Sequence, residues 1–370
     1  MYERNCFAGR ILEFHILQSF PTTCLNRDDI GSPKTAIVAG VNRARVSSQC
    51  WKRAVRMEMQ RQGISIATRS KYLLKKLVGV LQNQGATEDE ALACSEKVME
   101  EFYDVYKKDK KNKDSEASKE RTQEKDMAIL FMSDSEMEKV AEYCKLNSFD
   151  SEKIESKKII EIIKDVKAAK VLDGLDMALF GRMVAKNNQL NIEGASAFSH
   201  ALSTHRVDNE SDFFTAVDDL TVGKTDSGSS HLGNTDFNSA TYYRYVRIDL
   251  GLLYENLGGA NMAEALEAFT RALFTAVPSA RQNSMAGFCP WEYARILIRK
   301  GQALELPLSK PVTEKGEGYL GASKAMLQDF ILTKEKQFGS MYGKQLDLTF
   351  DDNTCIDDIV TSISQEIGRS

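Results

Sequence analysis

RILEFHIL at residues 10–17, followed after a polar interval by RVSSQCWKRAVR at residues 45–56, sets the architecture of this chain. In the first segment Leu12, Phe14 and Ile16 recur at every second position, the period of a half-buried strand, and Pro21 is expected to end it. A long polar loop is expected from Thr22 to Arg45. In the second segment Ser47 offers an N-cap hydroxyl to a helix from Ser48 to about Gln62, and Gly63 supplies the stop. No Glu or Gln stands three residues after Ser47, so the reciprocal capping box is absent. Helical spacing puts Gln49, Lys52, Arg53 and Arg56 on one face and Trp51, Val55 and Met59 on the other. The apolar face is expected to dock and the basic face to look outward.

Working outward, residues 68–105 read as helical, with Leu73, Leu74, Leu77, Val80 and Leu81 as the apolar stripe. Between Lys107 and Asp126 lie eight basic and six acidic residues and almost no apolar side chain. Such a segment cannot bury a core and is expected to be a mobile surface insertion. Helices resume over 127–146 and 152–170, the second marked by Ile159, Ile162, Ile163 and Val166. After Gly174 the texture turns to short β-like runs at Met177–Phe180, Ala197–Val207 and Phe213–Val217, with a Gly/Ser loop at 223–230. Thr241–Ile248 is strand-like by its aromatic and β-branched content. A helix over Asn261–Val277 stops at Pro278, a strand follows at Arg295–Ile298, and helices fall within Gly321–Phe338 and Asp357–Ile367. No internal repeat is present. The order strand, helix, helical insertion, strands, helix, strand fits an α+β domain with a ferredoxin-like or RRM-like core. The RNP aromatic signature is missing, so RNA stacked across an open sheet face is not supported.

With 370 residues, 42% hydrophobic and 28% charged, the chain fits a globular protein of two or three subdomains. No apolar run approaches a membrane helix; the N-terminal candidate Ile11–Phe20 carries Glu13 and His15 and has no small-residue cleavage site. The seven cysteines are scattered, without a Cys-x-x-Cys pair, and read as reduced thiols of a cytoplasmic protein. The four histidines make no zinc spacing with them, and neither a metal nor a cofactor is expected. The net charge is −4, yet from Ile30 to Met57 there are six basic residues and no acid: Lys34, Arg43, Arg45, Lys52, Arg53 and Arg56. Positive charge gathered so locally on an acidic chain points to a polyanion partner at one face.

Six ordered motifs add a resemblance: CLNRDD at 24–29, RVSSQCWKRAVR at 45–56, LFGRM at 179–183, HRVDNESDFFTAVDDL at 205–220, SSHLG at 229–233 and YYRYV at 242–246. Together they resemble the CasC family of the RAMP superfamily, the crRNA-binding backbone subunit of the type I-E CRISPR Cascade surveillance complex. The likeness is dense over 24–62 and 174–260 and weak over 63–173. It implies an RRM-like palm (1–62, 174–202 and 236–370), a helical fingers insertion (63–173) and a hairpin thumb (203–235). It implies a non-catalytic protein that polymerises along one crRNA, each thumb kinking out a base beside its neighbour's palm. The segments between kinks would pair with target DNA. The partners implied are the crRNA, target DNA through the guide, other copies of the chain and other Cascade subunits, and no membrane.

Carried onto matching positions, Arg27, Lys34, Arg45, Ser47, Gln49, Lys52, Arg53 and Arg56 become guide contacts, with Met183 stacking from the palm. Phe213, Phe214, Thr215, His231 and Leu232 become thumb residues at the kink. Each has a plainer reading. Arg27 can pair with Asp28 or Asp29, Arg53 with an acid of the fingers, and Phe213 and Phe214 can be ordinary hairpin core. His231 read as a catalytic base has no evident nucleophile. One rival class is a metal-dependent endoribonuclease cutting target RNA through Asp28 or Asp29; another is a general single-strand RNA binder, or a scaffold without guide RNA.

Overall fold

The computed structural model describes residues 5–102, 129–167, 173–216, 231–314 and 316–369. The charged segment at 107–126 and the loop at 223–230 lie outside them. In chain order the elements are β1 (Arg10–Thr23), β2 (Thr35–Val38), β3 (Val41–Val46), α1 (Ser48–Arg61), β4 (Thr68–Ser70), α2 (Leu73–Asn83), α3 (Glu88–Met99), β5 (Leu130–Met132), α4 (Asp134–Leu146), α5 (Ser156–Lys167) and α6 (Leu175–Phe180). There follow β6 (Ser196–Phe198), β7 (Ala201–Ser203), β8 (Glu210–Ala216), β9 (His231–Asp249), α7 (Leu250–Asn256), α8 (Met262–Thr275), α9 (Gln282–Met285), β10 (Tyr293–Lys300), α10 (Leu320–Phe338), β11 (Lys344–Phe350) and α11 (Ile356–Gly368). Their contacts divide the chain into a helical unit (1–8, 59–196 and 249–268) and a sheet unit (9–58, 197–248 and 269–370).

The sheet runs β11-β10-β1-β9-β7-β3-β2, with β6 and β8 also pairing β9. Four of its inner strands, β10-β1-β9-β7, keep the ferredoxin-like order: α1 lies between β1 and β7 in the chain, and α8 between β9 and β10. This is an α+β fold with a large antiparallel sheet, consistent with the expected RRM-like palm. β1 is buried on both faces rather than one: Glu13, His15 and Gln18 are as enclosed as Leu12, Phe14 and Ile16. Each of the three polar side chains has at least one partner, though His15 Nε2 is left without one. Glu13 takes Arg299 Nε at 2.6 Å, Tyr245 OH at 2.6 Å and the Leu304 N–H at 2.9 Å; His15 Nδ1 meets Tyr243 OH at 2.9 Å; Gln18 accepts from Arg244 at 2.5 Å. Buried ionic groups persist only when satisfied in this way. Pro21 does not end β1. The pairing with β10 stops at Leu17↔Tyr293, so Pro21 sits where that neighbour asks for no N–H.

The interval expected as one loop contains a hairpin, with β2 and β3 pairing from Thr35↔Ala44 to Val38↔Val41. Ala39 and Gly40 both have positive φ (53° and 77°), as a two-residue type I′ turn requires. β11, α7 and α9 also appear where no element was expected.

In the helical unit Leu73, Leu77 and Leu81 of α2 pack with Cys94 and Val98 of α3, Val140 and Cys144 of α4, and Ile159 and Ile163 of α5. Leu74, Val80 and Ile162 border this core. The segment expected as one helix over 127–146 begins instead as β5, paired to β4. The helix starts only at Asp134, because Ser133 and Glu136 form a capping box: the Glu136 N–H donates to Ser133 Oγ at 3.1 Å and the Ser133 N–H to Glu136 at 2.8 Å. Met177–Phe180, expected as β-like, is helical in α6. Gly174 (φ 74°) and Gly181 (φ 84°) bracket it, and a six-residue helix is too short to display its period. Residues 174–196, expected with the palm, group by contact with the helical unit.

Candidate nucleic-acid interface

The sheet unit brings the two basic motifs together at the start of α1. The Ser47 N–H donates to Asn26 Oδ1 at 3.0 Å, the Lys34 N–H to the Asn26 carbonyl at 2.9 Å, and the Arg45 N–H to the Lys34 carbonyl at 2.8 Å. Residues 26, 34, 45 and 47 are thereby stapled into one patch. Asn26, not singled out from sequence, is the pin. Arg27 bridges Pro33 across the loop and its side chain is exposed. Asp28 Oδ1 accepts the N–H groups of Ile30 (3.1 Å) and Ser32 (2.9 Å), so this carboxylate builds the turn. The loop is tied to the base of the β8–β9 hairpin: Ser32 Oγ and Ser211 Oγ both donate to Asp236, and Asn209 donates to the Pro33 carbonyl at 3.0 Å. These hydroxyl donors hold the Asp236 carboxyl below its ordinary pKa.

Trp51, Val55 and Met59 are buried, as their face of α1 requires, while Gln49 and Arg53 are exposed. Lys34 and Arg53 both act electrostatically on the Cys50 thiol, which places them around it; burial nonetheless pushes that thiol up. Three expectations need correction. Ser47 is buried, its N–H is taken by Asn26, and its Oγ accepts the Cys50 N–H at 3.4 Å, so its hydroxyl caps the helix as predicted but is not on the outer face. Lys52 and Arg56 are half-buried rather than fully solvent-facing. Lys52 Nζ lies 5.8 Å from the centre of the Phe198 ring, and burial lowers its pKa. Arg43, part of the acid-free run, is fully buried and donates to the carbonyls of Ser203 (2.6 Å), Leu308 (3.1 Å) and Val38 (3.4 Å). It is a structural cation.

One basic residue escaped the sequence reading. His200, exposed in the turn between β6 and β7, has Nδ1 at 3.3 Å from Arg45 NH1. Its pKa is lowered by desolvation and then by Arg45 and Lys34. The sequence carries no signal for it, because Ala197–Val207 reads as one β-like run and only the pairing of β3 with β7 brings Arg45 beside it.

The other motifs divide between structure and display. In LFGRM, Arg182 is buried and pairs with Glu136 at 2.7 Å, its Nε donates to the Leu190 carbonyl at 3.0 Å, and its backbone exchanges two 2.9 Å bonds with Ile192. A Cβ at Gly181 would come within 2.8 Å of the Ile192 carbonyl, so glycine is needed there. This framework leaves the neighbouring Met183 80% exposed. In HRVDNE, His205 is buried, stacked on Tyr319 with ring centres 3.5 Å apart; Nδ1 donates to the Arg206 carbonyl at 2.8 Å and Nε2 accepts the Thr241 N–H at 3.2 Å. In YYRYV every side chain is buried, and the Arg244 guanidinium lies 3.5 Å from the Trp51 ring centre.

The β8–β9 hairpin pairs Glu210↔Phe237 through Ala216↔His231. Phe213 is 62% exposed and Phe214 43%. A Cβ at Gly233 would meet Phe214 Cζ at 2.5 Å, so the Phe214 ring covers its cross-strand glycine. Phe213 points to the opposite face, because neighbours on a strand alternate. Thr215 is exposed and pairs with Leu232. The side chains of His231 and Leu232 lie outside the described part of the molecule.

Among the described residues no group of three or more His, Cys, Asp or Glu is placed to share a metal ion, and no helix is long and apolar enough to cross a membrane.

The geometry defines a class: an α+β protein with a ferredoxin-ordered antiparallel sheet that displays cations at the first helix after its first strand. The chain belongs to the CT1975-like protein family, whose profile matches residues 12–361. It is similar over 95% of its length to 99% of a chain from a structure described as "CRISPR RNA-guided surveillance complex, pre-nicking", at 27% identity and a TM-score of 0.76. A chain from a second structure, "CRISPR RNA-guided surveillance complex", shares the fold at 20% identity and a TM-score of 0.65, with the same coverage. No curated protein matches.

Proposed function

We propose that this chain is the crRNA-binding backbone subunit of a CRISPR RNA-guided surveillance complex, of the CasC type found in type I-E Cascade. The observation that carries the reading is the grouping of Arg27, Lys34, Arg45, Gln49 and Arg53 around the start of α1, in a chain whose fold is shared end to end with a chain of such a complex. A guide of arbitrary sequence must be held without reading its letters. Cations and neutral donors directed at phosphates meet that need, and base-edge hydrogen bonds would not. The partial positive charge at the start of α1 adds to the attraction for an anion.

Phe213, directed away from the face that Phe214 covers, is the wedge at the kink; an aromatic ring against a base recovers ~1–3 kcal/mol of stacking. Met183 supplies a second apolar surface. Further copies of the chain occupy the same guide, so each weak grip is multiplied by effective concentration. Target DNA pairs with the guide between kinks, and other Cascade subunits complete the assembly.

The role is non-catalytic in this reading. Asp28, the strongest candidate for a nuclease, spends its carboxylate on two backbone N–H groups of its own turn. Incubating the assembled complex with target RNA and Mg²⁺ tests this: no cleavage is expected, and cutting abolished by Asp28→Ala would make the protein a nuclease. The main test is the RNA that stays with the purified complex. A uniform guide-length species is expected. Mixed cellular RNA, or none at any salt, would refute the assignment.

A further inference from the structure

His200 occupies the two-residue turn joining β6 to β7, with its backbone anchored by the Ser199 N–H donating to the Tyr245 carbonyl at 3.0 Å. A guanidinium can only donate. The 3.3 Å approach of Arg45 NH1 to His200 Nδ1 therefore makes Nδ1 the acceptor and leaves the proton on Nε2, the ring nitrogen away from Arg45. Arg45 is itself steadied by Nε donating to the Thr35 carbonyl at 3.3 Å, and its N–H is bonded to the Lys34 carbonyl. The charged groups facing the ring are Arg45 from β3 and Lys34 from the loop before β2; on α1, Lys52 lies over Phe198, two residues away. All are cations. An exposed imidazole is an unusual neighbour for that many positive charges unless an anion is shared among them.

We infer that His200 is a further contact to the guide backbone, completing with Arg45 and Lys34 a cradle for one phosphodiester oxygen. The inference rests on the RNA-binding reading above and deepens it. Without RNA, desolvation and then the two cations favour the neutral imidazole of His200, and Arg45 spends one donor on Nδ1. A phosphate oxygen placed between them reverses both conditions. Its negative charge offsets Arg45 and Lys34, Nδ1 takes up a proton from water, and the imidazolium and the guanidinium both donate to the same oxygen. RNA binding is then linked to the uptake of one proton per copy, and it tightens as pH falls.

The test uses the full-length chain and a tetramethylrhodamine-labelled oligouridylate, neither the dye nor the bases of which titrate between pH 6 and 8. Affinity is measured at constant ionic strength across that range for wild type, His200→Gln and His200→Ala. The wild type is expected to bind about two- to fivefold more tightly at pH 6 than at pH 8, because protonation of the bound imidazole is only partly complete across that window. His200→Gln keeps a neutral donor but cannot be protonated. It should bind more weakly than wild type at pH 6 and show a flat profile, and His200→Ala should be weaker still. With only four histidines in the chain, imidazole NMR signals give an independent reading. The exposed His200 resonance should titrate at higher pH when the oligonucleotide is present. A wild-type profile as flat as that of His200→Gln, or a His200 titration that RNA does not move, overturns the inference while RNA binding itself stands. Failure to bind the oligonucleotide at any pH would overturn the RNA-binding reading as well.

Discussion

Arg43 donates to three backbone carbonyls from a site that water does not reach, and Arg53, ten residues on, is exposed on α1. Removing the Arg43 side chain strands the carbonyls of Val38, Ser203 and Leu308 and opens a void. Arg43→Ala should therefore destabilise the protein by ~3 kcal/mol, read as a lower urea midpoint with an unchanged slope. Arg53→Glu should leave that midpoint within ~0.5 kcal/mol, because surface substitutions seldom do more. It should weaken RNA binding by about tenfold, by repelling a phosphate where one was attracted. The opposite pattern would mean that the basic run serves the fold and not a ligand. Sequence alone could not separate these two arginines. Both belong to one acid-free run, and what distinguishes them is that β7 and residue 308 come from far along the chain to enclose one of them. Likewise, Glu13 and His15 read as the polar face of a half-buried strand. Their burial depends on Arg299 and Tyr243, more than two hundred residues away.

At the scale of elements, long periodic segments were legible and short ones were not. α1 follows its expected limits closely because Ser47, the Trp51–Val55–Met59 stripe and Gly63 (φ 87°) are all local signals. The β2–β3 hairpin was missed because its turn is Ala39-Gly40 rather than Asn-Gly. α6 was misread because six residues cannot show a period. The β8–β9 hairpin carries a contrast that its residue types hide: two adjacent phenylalanines with different tasks. Phe214 shields Gly233, whose missing side chain leaves the strand weakly held. Phe214→Ala should speed amide hydrogen exchange across Glu210–Ala216 and the paired half of β9, and Phe213→Ala should not. Phe213→Ala should instead leave guide RNA in place and lower affinity for target DNA by about five- to thirtyfold, the loss of ~1–2 kcal/mol of stacking. Equal effects of the two substitutions on both readouts would remove the division of roles.

For the whole molecule the decisive question is how many phosphates one copy holds. The strand order β10-β1-β9-β7 was readable in outline because it needs only the alternation of strands and helices along the chain. The number of available cations was not, because burial removes some from the run of basic residues. Arg43 is lost to the core, Lys34, Arg45, Lys52 and Arg56 are half-buried, and Arg27, Lys34, Arg45 and Arg53 are grouped by the Asn26 staple and the Cys50 environment. With Lys34 and Arg45 sharing one phosphate, the four cations neutralise three phosphates on a single strand and release counterions with a slope of about −2.1 in log K against log salt, at ~0.7 per phosphate. Arg53→Gln should reduce the magnitude of that slope by ~0.7, and Arg27→Gln together with Arg53→Gln by ~1.4. Since three phosphates are a modest grip, the isolated chain should lose short RNA readily as salt rises above ~0.15 M, where screening acts within about 8 Å. Lengthening the RNA to accommodate several copies should raise apparent affinity steeply without changing the slope per copy, because the added strength comes from neighbouring copies on one strand. A slope that stayed at its wild-type value in the double variant would place the phosphates elsewhere on the protein. A slope near zero would show that charge is not what holds the strand.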